Sequence, residues 1–116
     1  QLKLFLKMKK VYFLSTCSTC KRIIKEKALE KKGFIFQDIK TERISPVQLD
    51  ELKKLAGSYE ALFSRRSMKY KSMGLKDKNL TETDYRNLIL EEYTFLKRPV
   101  IVEGRKLSVG GGEFKN

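Results

Sequence analysis

The only two cysteines of the 116-residue chain, Cys17 and Cys20, are separated by Ser18 and Thr19. This spacing lets one sulfur attack a substrate while the other, one helical turn on, displaces it as a disulfide. Only the thiolate is a useful nucleophile, and a free cysteine with a pKa of about 8.5 is mostly protonated at neutral pH. The location of Cys17 changes that balance. Val11-Tyr12-Phe13-Leu14 reads as a strand and helical spacing begins at Ser18, so Cys17 falls at the helix N-cap. There the amides of Ser18, Thr19 and Cys20 would point at its sulfur with the positive end of the helix dipole. Cysteines so placed have pKa values lowered to roughly 3.5–7.5. The same amides make an anion site, so a tetrahedral oxyanion could rest against the attacking sulfur. Thr16, Ser18 and Thr19 add hydroxyl donors, and Lys21, Arg22 and Arg98 add charge. Cys20 is expected to be the more buried, resolving thiol. A pair of inert buried thiols would share the spacing.

The elements that must position these thiols are legible around them. Lys10–Leu14 is an apolar run of strand length. From Ser18 to Lys32, Ile23, Ile24, Ala28 and Leu29 make one helical face, and Gly33 is a natural stop. Residues 34–39 (Phe-Ile-Phe-Gln-Asp-Ile) form the next strand, completing a right-handed β-α-β unit. A helical insertion over about residues 45–95 follows. It opens with Ser45 as cap and Pro46 at the first helical position. Leu49, Leu52 and Leu55 line that first helix, and Gly57 ends it. Shorter helical stretches are expected at 59–63 and 67–73, the second stopped by Gly74. Thr81 with Asp84 reads as a capping box ahead of a stripe of Tyr85, Leu88, Ile89 and Tyr93. Beyond Arg98-Pro99, Val100-Ile101-Val102 and residues 106–109 read as a hairpin about Glu103-Gly104. A cis Arg98–Pro99 bond would place backbone beside the sulfurs. Pro99 as the plain start of an edge strand is the alternative.

Composition narrows the classes. The length suits a single domain with a modest core, and no stretch approaches the roughly 20 apolar residues of a membrane span. Lys and Arg number 26 against 14 Asp and Glu, a formal charge of +12 that favours anionic partners. No run of six basic residues marks a nucleic-acid tail, and direct nucleic-acid contact is not expected. Two cysteines cannot build a disulfide framework. In a reducing compartment the pair beside a β-α-β pattern points to redox work, so a cytoplasmic location is expected. With no histidine in the chain, a four-ligand zinc site would need carboxylates or a second chain, and no metal is expected. Residues 1–7 are expected to be an extended or non-native start, with Met8 as a natural beginning.

Three motifs in order resemble the ArsC/Spx family. They are the strand-turn-helix carrying Cys17-Ser18-Thr19-Cys20-Lys21, the Arg65-Arg66-Ser67 stretch leading to Tyr70-Lys71-Ser72-Met73-Gly74-Leu75, and Lys97-Arg98-Pro99-Val100-Ile101-Val102. The resemblance runs from about Lys9 to Gly112. It implies a thioredoxin-like α/β fold with an inserted helical subdomain, and a final helix that this chain would lack. In the arsenate reductase branch the cysteine matching Cys17 attacks arsenate, glutathione adds, and glutaredoxin releases arsenite. Arginines hold the oxyanion there. Arg98 matches one of them, whereas the others fall on Ser64 and near Val109, leaving Arg65 or Arg66 to substitute by a shift. Serine is common in that branch at the position of Cys20, and the cysteine pair is the redox switch of the Spx branch. Spx-like proteins bind RNA polymerase through the C-terminal domain of its α subunit and redirect transcription under thiol stress.

The first expectation is therefore an ArsC-like thiol-disulfide oxidoreductase, in which Cys17, Cys20 and Arg98 do the chemistry. Thr16, Ser18, Thr19, Lys21, Arg65, Arg66 and Pro99 would bind a small oxyanion or thiol substrate. No bound cofactor is implied, and glutathione, glutaredoxin or thioredoxin would serve as diffusible reductant. A redox-sensing transcription regulator that binds the RNA polymerase α subunit is the alternative, and a retained fold without activity is a third.

Overall fold

A computed structural model describes residues 8–114, which divide into two compact units: the two ends of the chain, up to Glu42 and from Arg98, and the segment Arg43–Lys97. The expected non-native start at 1–7 lies outside the described residues.

The first unit is built on a four-stranded sheet. Strands β1 (Lys9–Phe13), β2 (Ile35–Asp38), β3 (Val100–Glu103) and β4 (Lys106–Val109) lie in the order β2-β1-β3-β4. β1 and β2 are parallel, and the other two pairings are antiparallel. Val11 is opposite both Phe36 and Ile101, so these three share a face. Helix α1 (Ser18–Glu26) packs there through Ile23 and Ile24, which form a buried cluster with Val11, Leu29 and Ile101. The side chains of Phe13, Phe34, Phe36 and Phe114 extend it. After β4 the chain turns back through glycines. Gly111 adopts a left-handed backbone (φ +84°) that would strain any side chain, and a Cβ there would also press Ile23 Cδ1 at 2.6 Å.

Helix α1 is shorter than its apolar spacing suggests. It ends at Glu26 instead of running to Lys32, because Ala28 adopts a left-handed conformation (φ 51°). A 3-10 turn at Leu29–Lys31 follows and still delivers Leu29 to the core, at 2% exposure. Apolar positions recur across this break, so periodicity alone reads through it. β2 is likewise shorter at both ends than the expected 34–39.

The second unit contains helices α2 (Pro46–Ala56), α3 (Met68–Ser72) and α4 (Glu82–Glu91), with 3-10 turns at Glu60–Leu62, Leu75–Asp77 and Tyr93–Phe95. The stretch expected to be helical at 59–63 is thus a single 3-10 turn. Ser45 and Gln48 close a capping box on α2, and Thr81 and Asp84 close another on α4. Phe63 is fully buried, stacked on Phe95 at 5.0 Å between ring centroids and tilted against Tyr85 at 4.9 Å. Tyr85, one residue of the expected helical stripe, is itself buried. Asp50 of α2 holds Arg86 of α4 through two hydrogen bonds, of 2.9 and 3.2 Å, and accepts the Tyr59 hydroxyl at 2.6 Å.

Candidate active site

Cys17 is the N-cap of α1, with extended backbone (φ −93°, ψ 114°) that lets the helix begin at Ser18. Its amide donates to the Leu14 carbonyl at 2.9 Å, which folds the Leu14–Cys17 turn, and its carbonyl receives the Lys21 amide at 3.2 Å. No side chain caps this helix, and its first turn carries no acidic residue. The amides at its start are thus left facing the sulfur.

The two thiols have opposite environments. Partial burial pushes the half-buried Cys17 thiol up, but the Cys20 amide, the Cys20 thiol, the Arg98 charge and the Thr19 amide together outweigh it. The net effect lowers Cys17 below the ordinary thiol value. Cys20 is fully buried, and desolvation first, then the neighbouring Cys17 sulfur, push its thiol up to about 12, against the lowering effects of the Leu14 backbone and Arg98. One sulfur is therefore disposed to ionise and the other to stay protonated beside it. This division of labour suits a nucleophile and its resolving partner.

Arg98 precedes Pro99 across a cis peptide bond, just before β3. Its charge lowers both thiols, which places the guanidinium within electrostatic reach of the pair. Pro99 is buried, and its carbonyl accepts the Gly110 amide at 2.9 Å. Thr16, Ser18, Thr19 and Lys21 lie exposed on the turn and first helical turn around Cys17. The Thr19 amide is among the groups that lower the Cys17 thiol.

The remaining two expected binding residues belong to the second unit. Arg65 forms an ion pair with Glu60 at 2.9 Å and donates to the Tyr85 hydroxyl at 3.1 Å. Arg66 is exposed, and its amide donates to Ser64 Oγ at 3.3 Å.

Sequence reasoning passed over Asp38. Its carboxylate accepts a hydrogen bond from the Lys40 amide at 3.2 Å. The Ser15 hydroxyl first, with the Lys40 and Ser15 amides, holds that carboxyl below its usual range although burial opposes this. An acidic residue closing the strand beside a cysteine-bearing turn was the available signal. Among the described residues no group of three or more His, Cys, Asp or Glu could hold a metal ion, and no helix is long and apolar enough to cross a membrane.

A parallel β-α-β unit joined to an antiparallel hairpin, with paired thiols at the helix start and a cis-proline opening the third strand, defines a thioredoxin-like α/β fold. Within that class the chain belongs to the ArsC family, whose model matches residues 12–113. It is 29% identical over 105 residues to the uncharacterized protein YusI of Bacillus subtilis, covering 85% of this chain and 86% of that one. It is 25% identical over 104 residues to the global transcriptional regulator Spx 1 of Lactococcus lactis, covering 89% and 81% of the two chains. Among solved structures it is similar to an arsenate reductase (ArsC) related protein from Brucella melitensis. That match has a TM-score of 0.67 and 27% identity over 89% of this chain and 86% of the other. The chain thus has the fold of the ArsC-family thiol oxidoreductases.

Proposed function

We propose that this protein is a thiol-dependent reductase of a small oxyanion, arsenate being the leading candidate, with Cys17 as nucleophile and Cys20 as resolving thiol. One observation carries the reading: Cys17 sits at an uncapped helix start, held below the ordinary thiol value by amides and by Arg98, beside a Cys20 thiol pushed up to about 12. In the proposed reaction the Cys17 thiolate displaces water from arsenate and forms a sulfur–arsenic(V) bond. A second thiol then attacks the Cys17 sulfur. The sulfur–arsenic bond breaks with its electron pair left on arsenic, arsenite departs, and a disulfide forms. That second thiol is Cys20, its proton passing to an arsenite oxygen, or glutathione, whose mixed disulfide glutaredoxin resolves. Glutathione or thioredoxin returns the two electrons. Arg98 steadies the oxyanion, the Thr16, Ser18, Thr19 and Lys21 side chains border it, and Pro99 shapes the opposite wall. Arg65 and Arg66 are further anion-binding candidates.

The test is arsenate-dependent NADPH oxidation with glutathione, glutaredoxin and glutathione reductase, run again with the thioredoxin system. The reading expects turnover in one arm and none with Cys17→Ser. Absence of turnover in both arms removes arsenate as substrate, and full activity in Cys17→Ser removes the thiol mechanism.

The match to Spx 1 together with the second cysteine supports one other reading, a redox-sensing regulator that binds the RNA polymerase α subunit. It expects the isolated C-terminal domain of that polymerase subunit to be retained by this protein in one oxidation state of the pair only. Equal retention, or none, in both states counts against it.

A further inference from the structure

Between Arg66 and Lys78 the second unit carries five cations, Arg66, Lys69, Lys71, Lys76 and Lys78, against one acid, Asp77. The rest of that unit has six Lys and Arg against seven Asp and Glu. Its excess positive charge therefore lies in this one run. Five of the six other cations also have partners. Arg86 is held by Asp50, Arg65 by Glu60 and Lys54 by Glu51. Arg43 donates to the Glu91 carbonyl at 3.0 Å, and Lys53 lies over the Tyr59 ring. The run differs. Its five cations are all exposed, and among the described residues none of them is in an ion pair.

The scaffold beneath the run is anchored. Ser67, which caps α3, is buried and hydrogen-bonded to the Thr94 hydroxyl at 2.7 Å. Tyr70 meets Phe63 edge-on at 6.1 Å between ring centroids, and Leu75 is buried. Gly74 takes the left-handed conformation (φ +66°) that leads α3 into the 3-10 turn at Leu75–Asp77. The cations are thus presented on short folded elements, so less backbone freedom is lost when a partner engages them. Two of the three methionines of the chain stand among them, Met68 at 88% exposure and Met73 at 43%. One exposed methionine needs no explanation. Two of them, flexible and apolar between unmatched cations, form a surface that adapts to the side chains of a protein.

A merely solvated face would also be charged, but such faces mix both signs, as the remainder of this unit does. A second copy of this chain is a poor occupant, because copies with a formal charge of +12 repel each other. Nucleic acid suits the charge alone. The one aromatic side chain of the run, Tyr70, is packed against Phe63 and offers no platform for a base, and phosphates gain nothing from the methionines. We propose that the Arg66–Lys78 run is a docking surface for an acidic segment of a partner protein, whose carboxylates meet these cations and whose apolar side chains pack on Met68 and Met73. The proposal does not depend on the thiol reading, and either can fail alone.

Fluorescence anisotropy tests it, using the full chain and a labelled peptide of aspartates and glutamates that carries two leucines. Binding is expected, and it should weaken as salt is raised from about 0.05 to 0.5 M. Lys69→Gln/Lys71→Gln/Lys76→Gln/Lys78→Gln should weaken it by about tenfold. Lys25→Gln/Lys31→Gln/Lys32→Gln/Lys106→Gln removes the same charge from exposed positions of the first unit. It should stay within about twofold of wild type. Met68→Ser should lose about two- to fivefold with this peptide and nothing with a peptide whose leucines are replaced by serine. Absence of binding, affinity that ignores salt, or equal weakening by the two quadruple variants overturns the proposal. Tighter binding of a DNA strand of the same charge overturns it in favour of nucleic acid. Wild-type affinity of Met68→Ser for the leucine peptide overturns its apolar half. Circular dichroism checks each fold. If the first quadruple variant does not fold, Lys69→Gln/Lys71→Gln decides, and wild-type affinity there overturns the proposal.

Discussion

The helices of the second unit all begin with a side chain closing their first turn, and the thiol-bearing helix of the first unit does not. Ser45 and Thr81 each close a full capping box, and Ser67 accepts the Lys69 amide. Cys17 occupies the same N-cap position on α1 with no side-chain cap at all. A good cap stabilises a protein by about 1 kcal/mol, so leaving one out has a definite cost. The benefit is electrostatic. Amides satisfied by a hydroxyl or carboxylate stabilise a helix; amides left facing a sulfur stabilise a thiolate or a bound anion instead. The second unit uses its helix starts for stability, whereas in the first the start of α1 is left open for the proposed chemistry.

The contrast can be broken most forcefully at Cys17. Replacing it with serine removes the nucleophile and is expected to reduce thiol-dependent turnover to background, roughly a thousandfold or more. The same substitution introduces a preferred capping residue, so stability should hold or rise, by up to about 1 kcal/mol, while activity vanishes. Paired activity and thermal-melt measurements check both halves. A variant that loses activity and stability together would mean that the cysteine position is structural.

Cys20→Ser comes next. It should keep a nucleophile that alkylates while losing all intramolecular disulfide, so a mixed disulfide with glutathione accumulates and is visible by intact mass. Arg98→Gln should follow with a smaller effect. It withdraws the positive charge from the thiol, so the Cys17 titration moves up towards the ordinary value, measured by alkylation rate against pH. Thr81→Ala tests the other side of the comparison. It should lower stability by about 1 kcal/mol without moving the Cys17 titration at all.

The smallest effect concerns acid. The Arg86 guanidinium, then the Tyr59 hydroxyl, hold Asp50 down to about 2. A carboxyl depressed in the folded state stabilises above its unfolded pKa of about 3.9 and loses that contribution as pH falls through its folded value. The second unit should therefore lose stability between about pH 4 and 2. Arg86→Ala should flatten that part of the acid melt, followed by circular dichroism. Exposure to solvent keeps the change modest.

Much of this contrast was readable from local signals. Ser45-Pro46, Thr81 with Asp84, and the strand-to-helix turn at Cys17 each announce themselves within four residues, because capping is a local interaction. The hairpin after Pro99 was legible for the same reason. The end of α1 was not. Ala28 gives no sequence sign of a left-handed backbone, and Leu29 keeps the apolar spacing through the 3-10 turn that follows. Long-range polar pairs were equally hidden. Arg86 with Asp50 joins residues 36 positions apart. No periodicity links such residues until the chain is folded. At the candidate site the thiols and Arg98 carried visible chemical types, whereas Asp38 looked like an ordinary strand end.

Titration of the two wild-type sulfurs by alkylation rate, resolved peptide by peptide, tests the central claim most directly. The account predicts that Cys17 reacts with a midpoint clearly below the ordinary thiol value of about 8.5, while Cys20 stays unreactive until far more alkaline solution. A Cys17 midpoint at or above about 8.5 in the folded protein, or equal reactivity of the two thiols, would contradict it.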